Sequence, residues 1–555
     1  MPDNELVFAP LGGIGEIGMN LSIYGVGDGR RRQWLIVDCG VSFASEEHLP
    51  GVDLILPDIR FLIEHRRNIV GLVLTHAHED HMGALMDLWP RLNVPLYASP
   101  FAAALFEARR LSEPGTPKIP VNVVPVGGHL TLGPFQIDFI NVAHSIPESN
   151  ALAIRTALGT VLHTGDWKID PTPLIGAPTD QKRLTALGDN GVLALVGDST
   201  NAVRDGRSPS EADVAKTLTE LIGTAPARVA VTTFASHVGR LRAVADAARL
   251  ADREVVVVGR AMERVVQVAR ETGYFEGVQD FRPAESYGYL PPDKVIALCT
   301  GSQGEARAAL SRIAEDEHPE VTLTRGDRVI FSARTIPGNE KAVARVINGL
   351  VGQGVEVITD RTHLVHVSGH PRRDELREMI GWVRPQILIP AHGEALHLAE
   401  HAELARSAGV PQVLVCRNGD LVRLAPGPAK IIDEVPSGRL YKDGALLLSA
   451  EARTVAARRR LSFAGVVSVA LALSEKGQLM ADPEIELIGI PETDSGGRPM
   501  EEIAREAIEE AFAALPKPRL RDRDEVAEAI RRAVRGAIAA PWRKKPICHV
   551  HVLVV

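Results

Sequence analysis

Thr75-His76-Ala77-His78-Glu79-Asp80-His81 lies directly behind the apolar run Ile69-Val70-Gly71-Leu72-Val73-Leu74. The run is short and β-branched, and it predicts a strand. His76 and His78 stand two apart, so in extended backbone they share a face. Asp80 and His81 follow where the chain turns into a helix over MGALMDLWP (82–90). Three imidazoles and a carboxylate in so short a segment are the donor types that zinc takes. At this chain's His and Asp frequencies the pattern HxHxDH arises by chance in roughly one sequence in a thousand.

Working outward, other polar residues close apolar runs in the same way. His144 ends FQIDFINVAH (135–144), Asp166 ends GTVLHTGD (159–166) and His392 ends QILIPAH (386–392). Strand ends in layered α/β folds are where ligands gather. Any one of these histidines alone would read as a hydrogen-bonded structural residue. Together with the first cluster they make seven donors: His76, His78, Asp80, His81, His144, Asp166 and His392. That set suits two cations, with a carboxylate such as Asp166 able to bridge them and a bound water activated near neutral pH.

The chain organises around this set. The first 200 or so residues are β-rich runs separated by Gly/Pro turns. From about 210 to 345, helical stretches such as EADVAKTLTELIG (211–223) alternate with runs such as EVVVVG (254–259), the pattern of a parallel sheet. Strand-like runs with terminal histidines return at 355–425. The expected architecture is therefore α/β: one domain from 1–208 and 346–425, an inserted α/β domain at 209–345, a linker at 426–460 and a small α+β domain at 461–555.

Composition bounds what these domains can be. The 555 residues are 45% hydrophobic and 24% charged, ordinary globular values. Four scattered cysteines make no CxxC site and no disulfide framework, which suits a reducing, cytoplasmic compartment. The N-terminal stretch lacks the basic-then-apolar pattern of a signal peptide, and no run reaches membrane-span length. A net charge of −8 means that a nucleic-acid partner would be held by local patches, not by the overall field.

At this point a resemblance enters. HAHEDH with His144, Asp166 and His392 resembles the ligand set of metallo-β-lactamase-fold hydrolases, an αββα sandwich, and the insertion resembles the β-CASP domain of nucleic-acid-processing members. The chain is similar to the bacterial ribonuclease J family through LGGIGEIGMN (11–20), LPGVDLILPD (49–58), THAHEDHMGAL (75–85), HSIPES (144–149), GDSTNA (197–202), TGSQGE (300–305), IPGNE (336–340), HVSGH (366–370) and PAHGE (390–394). The resemblance implies His76, His78 and His144 on one zinc, Asp80, His81 and His392 on the other, and Asp166 between them, with manganese or magnesium as assay substitutes. Asp198, His370 and His392 match the β-CASP motifs, and a histidine at the last position marks the RNA-acting branch, where DNA-acting relatives carry valine.

The same resemblance implies an enzyme acting on single-stranded RNA, 5′-to-3′ and also internally, favouring 5′-monophosphate ends, in RNA processing and decay. It implies a homodimer or homotetramer and no membrane. Asp80 or Asp198 would position or deprotonate the water. His370 would protonate the leaving oxygen, work that an imidazole pKa suits. Ser236, His237 and Arg240 fall in a segment that touches a phosphate in the family; Ser236 and Arg240 keep its pattern, whereas the residues around Val238, His237 among them, depart from its usual Asn and His. The loop His366-Val367-Ser368-Gly369-His370 would hold a phosphate through backbone N–H groups and Ser368. A calcium-like structural ion is implied near Leu49, Gly51 and Asp443.

Three patterns stand apart. Gly13, Gly15 and Gly18 match GxGxxG, but a strand instead of a helix follows, so a tight turn is expected. His549 and His551 alternate in a terminal strand and read as solvent-facing. Arg458-Arg459-Arg460 and Arg543-Lys544-Lys545 are basic runs, solvated faces or RNA contacts. The rival readings are a small-molecule hydrolase such as a lactonase or thioesterase, a DNA nuclease and a non-catalytic RNA-binding subunit. The long insertion opposes the first, His392 the second and the complete ligand set the third.

Overall fold

The computed structural model describes residues 4–44 and 48–555, and strand counts refer to those residues. The first three residues of the N-terminal stretch read above lie outside them. The chain forms two compact units, one of residues up to Phe43 with Leu54–Leu440, the other of Tyr441–Val555 with the short stretch ending at Asp53.

In the first unit an eight-stranded and a seven-stranded sheet face each other. Leu6, Phe8, Tyr24, Leu35 and Val37 of the former pack against Ile137, Phe139, Leu152, Ile154 and Val196 of the latter. Alternation does the sorting: Leu152 and Ile154 point to this interface, whereas Ala151 and Ala153 point to the opposite face. That face is covered by helices Gln181–Asp189, Arg373–Val383 and Ala395–Ser407, through residues such as Leu184, Met379 and Leu404. On the outer face of the first sheet Trp34 packs edge-on against Phe61 of the helix Arg60–Glu64, 5.2 Å between centroids. The result is the metallo-β-lactamase αββα sandwich.

The insertion holds a five-stranded, all-parallel sheet in the order Glu254–Val258, Val295–Cys299, Val229–Thr232, Arg328–Phe331, Glu356–Ile358. The edge set at residue 345 from sequence falls inside the helix Glu340–Gly352, which buries Val343, Val346 and Leu350 in this sheet's core. A helix that completes one core cannot open another domain. Nor is 426–460 an irregular connection: Lys430–Glu434 pairs with Asp420–Ala425 as an edge strand of the first sheet, and Arg453–Ala464 is a helix.

In the second unit Glu484–Ile488, Val466–Leu473 and Ile547–Val554 form a sheet whose centre strand pairs antiparallel with the first and parallel with the last. Helices Met500–Ala514 and Arg523–Trp542 cover one face, with Ile508, Ile530 and Val534 packed on Val467, Val469 and Leu471. His549 and His551 lie exposed on the other face, as alternation requires.

Candidate metal centre

Strand register gathers the polar strand ends. Val37 pairs with Val73, His163 with Val196, and Asp198 with Ala391, all in parallel ladders. The residues just past these ends, Asp38, Thr75, His76, Asp166 and His392, therefore emerge at one edge of the sandwich. Asp38 and His392 turn there through left-handed backbone, φ 64° and 48°. For a bulky histidine that conformation is costly and persists only when its surroundings fix it, as at binding sites. The GxGxxG segment is a turn between antiparallel strands, with Gly13, Gly15 and Gly18 at positive φ, and it bridges to Gly393 beside His392.

All seven donors converge. His76, His78, His144 and Asp166 offer ligand atoms within 4.8 Å of one another, as do Asp80, His81, Asp166 and His392. Asp166 belongs to both groups. His78 Nδ1 lies 3.1 Å from His76 Nε2 and 3.1 Å from His144 Nε2, and both of those nitrogens lie within 3.8 Å of Asp166 Oδ2. On the other side Asp166 Oδ2 is 3.2 Å from His81 Nε2, and Asp80 Oδ2 is 3.3 Å from His392 Nε2. Among the described residues the buried His392 Nε2 has no hydrogen-bond partner. Ring nitrogens turned toward one another in this way make no satisfied hydrogen-bond network, but they do suit shared cations.

The remote ring nitrogens are tied down, which fixes orientation and leaves the facing nitrogens free. His144 Nδ1 donates to Gly369 O at 2.7 Å, His76 Nδ1 meets Thr75 Oγ1 at 2.9 Å, and His81 Nδ1 donates to Asp38 Oδ2 at 2.7 Å. Burial, reinforced by neighbouring imidazoles, pushes His76 and His144 well below the usual histidine range and His78 to about 4. These rings are neutral, the ligand form. Burial acts the same way on His81 and His392, but the carboxylates outweigh it: Asp166 and Asp80 carry His81 well up, and Asp166 carries His392 to about 10. Burial would raise Asp166, yet His392 and His81 hold it well below the ordinary carboxylate range.

The β-CASP motif residues lie against this cluster. His370 Nδ1 is 2.8 Å from Asp198 Oδ2 and 3.9 Å from Asp166 Oδ2. Burial lowers the His370 pKa, but Asp198 and Asp166 more than reverse this and raise it. Asn201 donates to Ser368 Oγ at 2.8 Å and to His370 O at 3.1 Å, and Ser208 Oγ also donates to His370 O. A Cβ at Gly369 would meet the His144 ring at 2.7 Å, so the loop's glycine permits close approach to a ligand histidine. Val367 is buried, and among the described residues the buried His366 Nδ1 has no hydrogen-bond partner.

Two residues expected to touch substrate are placed elsewhere. Arg240 is 0% exposed and His237 3%. Arg240 donates to Glu211 Oε2 at 2.8 Å, to Ser332 O and Oγ, and to Val365 O at 2.8 Å. His237 accepts from Arg240 N, capping the helix Val238–Leu250, and donates Nε2–H to Glu211 Oε1 at 3.2 Å. Of their side-chain donors only the buried Arg240 Nε lacks a partner among the described residues, and Arg240 holds Val365 O at the foot of the 366–370 loop. Ser236 is half-buried and remains available. The calcium-like site is also corrected. Arg458 places its guanidinium on Asp443 at 2.7 Å and on the carbonyls of Gly51 and Pro50 at 3.3 and 3.5 Å. A side-chain cation thus engages two of the three residues named for the ion, Gly51 and Asp443.

Sequence reasoning missed the residues that orient others. Asp38 ends RQWLIVD just as Asp166 ends its run, a signal available but unused. Glu148 left none. It accepts from Phe101 N at 2.7 Å and from the Tyr274 hydroxyl at 2.9 Å, tying the insertion to the loop that carries His144.

The chain matches the metallo-β-lactamase superfamily over residues 23–260, the ribonuclease J beta-CASP domain over 226–350, the Zn-dependent metallo-hydrolase RNA specificity domain over 354–415 and the ribonuclease J C-terminal domain over 454–555. A solved structure described as a protein of unknown function from Enterococcus faecalis shares the fold, with a TM-score of 0.52 and 16% identity over 76% of this chain and 100% of that one. Ribonuclease J of Corynebacterium glutamicum is 39% identical over 98% of this chain and 75% of its own, and that of Thermus thermophilus 36% over 97% and 94%. Ribonuclease J of Sinorhizobium meliloti is 54% identical over 99% of this chain and 97% of its own. With metal-ligand donors, β-CASP motifs and a C-terminal α+β domain in one chain of matching length, the protein belongs to the ribonuclease J family and is a ribonuclease.

Proposed function

We propose that the protein is a two-zinc ribonuclease that degrades single-stranded RNA from its 5′ end, prefers a 5′-monophosphate and also cuts internally. The observation carrying this reading is the pair of donor groups that meet at Asp166. His76, His78 and His144 would hold one ion, Asp80, His81 and His392 the other. When bound, the ions would supply charge neutralisation at the phosphoryl group and activation of water.

The chain's own residues do the rest. Asp80 or Asp198 accepts the proton of the attacking water, and both carboxylates are in reach of the cluster. His370, protonated against Asp198, protonates the leaving 3′ oxygen through Nε2. Ser236, Ser368, His366 Nδ1 and the backbone of 366–370 bind the terminal or adjacent phosphate. This reading carries with it a cytoplasmic homodimer or homotetramer working in RNA processing and decay. The test compares 5′-monophosphorylated RNA, 5′-triphosphorylated RNA and matched DNA as substrates for wild type, His76→Ala and His370→Ala. Faster hydrolysis of the monophosphorylated RNA is expected, with both variants impaired. Equal cleavage by His76→Ala would sink the metal mechanism, and equal cleavage of DNA the RNA preference.

A further inference from the structure

The basic runs at 458–460 and 543–545 are some 80 residues apart in sequence, but strand register brings them together. The strand after the helix Arg453–Ala464 pairs in parallel with the strand after 543–546, beginning at Val466 and Ile547, and Ile547 N donates to Gly465 O at 3.0 Å. Lys544 therefore reaches back to Phe463: its Nζ lies 4.5 Å from the Phe463 ring centroid, 5.5 Å from that of Trp542, and 3.4 Å from Phe463 O.

Phe463 is 67% exposed, in a chain only 4% aromatic. Arg459, Arg460, Arg543 and Lys545 are exposed around it. Among the described residues none of the four has a carboxylate within ion-pair distance. Elsewhere in the same unit several arginines are neutralised: Arg505 pairs with Glu501 at 2.9 Å, Arg519 with Glu525 at 3.0 Å, and Arg531 and Arg532 with Glu528 at 2.6 Å. Unpaired cations ringing an exposed aromatic are the two elements of a single-strand binding platform, phosphate neutralisation and base stacking.

We propose that the face formed by Arg459, Arg460, Phe463, Trp542, Arg543 and Lys544 binds single-stranded RNA outside the catalytic centre, with a base stacked on Phe463. The inference rests on RNA being the substrate. A strand long enough to engage this face and the centre together is held at two points, so affinity depends on RNA length. In the full-length His76→Ala chain, used so that bound RNA stays intact, fluorescence anisotropy measures the binding of RNAs of about 4 and about 25 nucleotides. Adding Phe463→Ala with Arg459→Ala and Arg460→Ala is expected to weaken the long RNA about tenfold and to lower its log–log salt slope by about 1.4, two phosphate contacts in a single strand. The short RNA should bind unchanged, and Phe463→Tyr should restore the stacking part of the loss. On the otherwise wild-type chain, kcat/KM for the short RNA should also be unchanged.

Unaltered affinity and slope for the long RNA would overturn the proposal. So would a change confined to molar mass in light scattering, which would make this face a contact between copies. Failure of the wild type to cleave even the short RNA would instead strike the substrate reading on which the inference rests.

Discussion

Two buried clusters of ionisable groups lie in the first unit, and they are built to opposite rules. In the network Lys168–Asp170–Glu211–His237–Arg240 each charge meets its opposite: Lys168 to Asp170 at 2.9 Å, Arg240 to Glu211 at 2.8 Å, His237 to Glu211 at 3.2 Å. In the donor cluster imidazole nitrogens face imidazole nitrogens and two carboxylates crowd one histidine edge. In the first cluster each charge has its opposite within the protein, whereas the second offers donor groups that suit cations. Burial and charge are shared by both, so neither property marks a functional site. What separates them is whether the polar atoms satisfy one another.

The largest break in that comparison comes from Asp166→Asn. Losing the shared carboxylate should cost on the order of a thousandfold in kcat/KM, since ion-based charge neutralisation contributes several kcal/mol. Metal content measured by mass spectrometry should fall for both sites, while His76→Ala should lower only one. An equal loss from the two variants would mean that Asp166 is not shared.

Arg240→Met attacks the completed cluster instead. It strands Glu211, which is 4% exposed, and removes a donor to Val365 O. Urea unfolding should show a loss of about 3–5 kcal/mol. Adding Glu211→Leu should recover part of it, because an empty pair is cheaper than half of one. A destabilisation within 0.5 kcal/mol or so would show that the network is not structural, surface-like substitutions having effects of that size.

The same pair sets an acid limb. Burial would raise the Glu211 carboxyl, but Arg240 first and His237 next hold it well below its ordinary value. A depressed folded pKa gives stability that is complete above the unfolded value, about 4.3, and that is lost as pH falls through the folded one. The urea midpoint of the wild type should thus drop as pH falls from about 5, with a shallower drop for Arg240→Met. Parallel curves would remove Glu211 from the acid response.

These contrasts also explain what the sequence disclosed. The donors were legible because each stands at the end of an apolar run, and parallel register then carries strand ends to one edge. Arg240 resembled a substrate contact because a sequence match conveys identity but not burial. Its partners, Glu211, Ser332 and Val365, come from separate elements, and nothing local distinguishes an arginine aimed at a phosphate from one aimed at a carbonyl. The 345 boundary slipped for a related reason. The helix Glu340–Gly352 has the same apolar periodicity whichever core receives it, and only Val343, Val346 and Leu350 in place show that it completes the inserted sheet.

The smallest expected effect tests a contact intermediate between the two clusters. Glu148 has left-handed backbone, φ 58°, in the loop that carries His144, and its carboxylate spans Phe101 N and the Tyr274 hydroxyl. Phe101 and Tyr274 also meet edge to face at 5.7 Å, so Tyr274→Phe keeps the packing and removes only the hydroxyl. One hydrogen bond to a charged group, partly replaced by water, makes a stability loss of about 1–2 kcal/mol. If the contact serves only to dock the insertion, kcat/KM should follow the folded fraction and metal affinity should stay constant. If it also orients His144, metal affinity should fall up to tenfold or so, the lower end for groups that position ligands. The position of Glu148, four residues from a donor and strained in backbone, favours the second outcome. Unchanged metal affinity in Tyr274→Phe would return this contact to the self-satisfied class that Arg240 exemplifies.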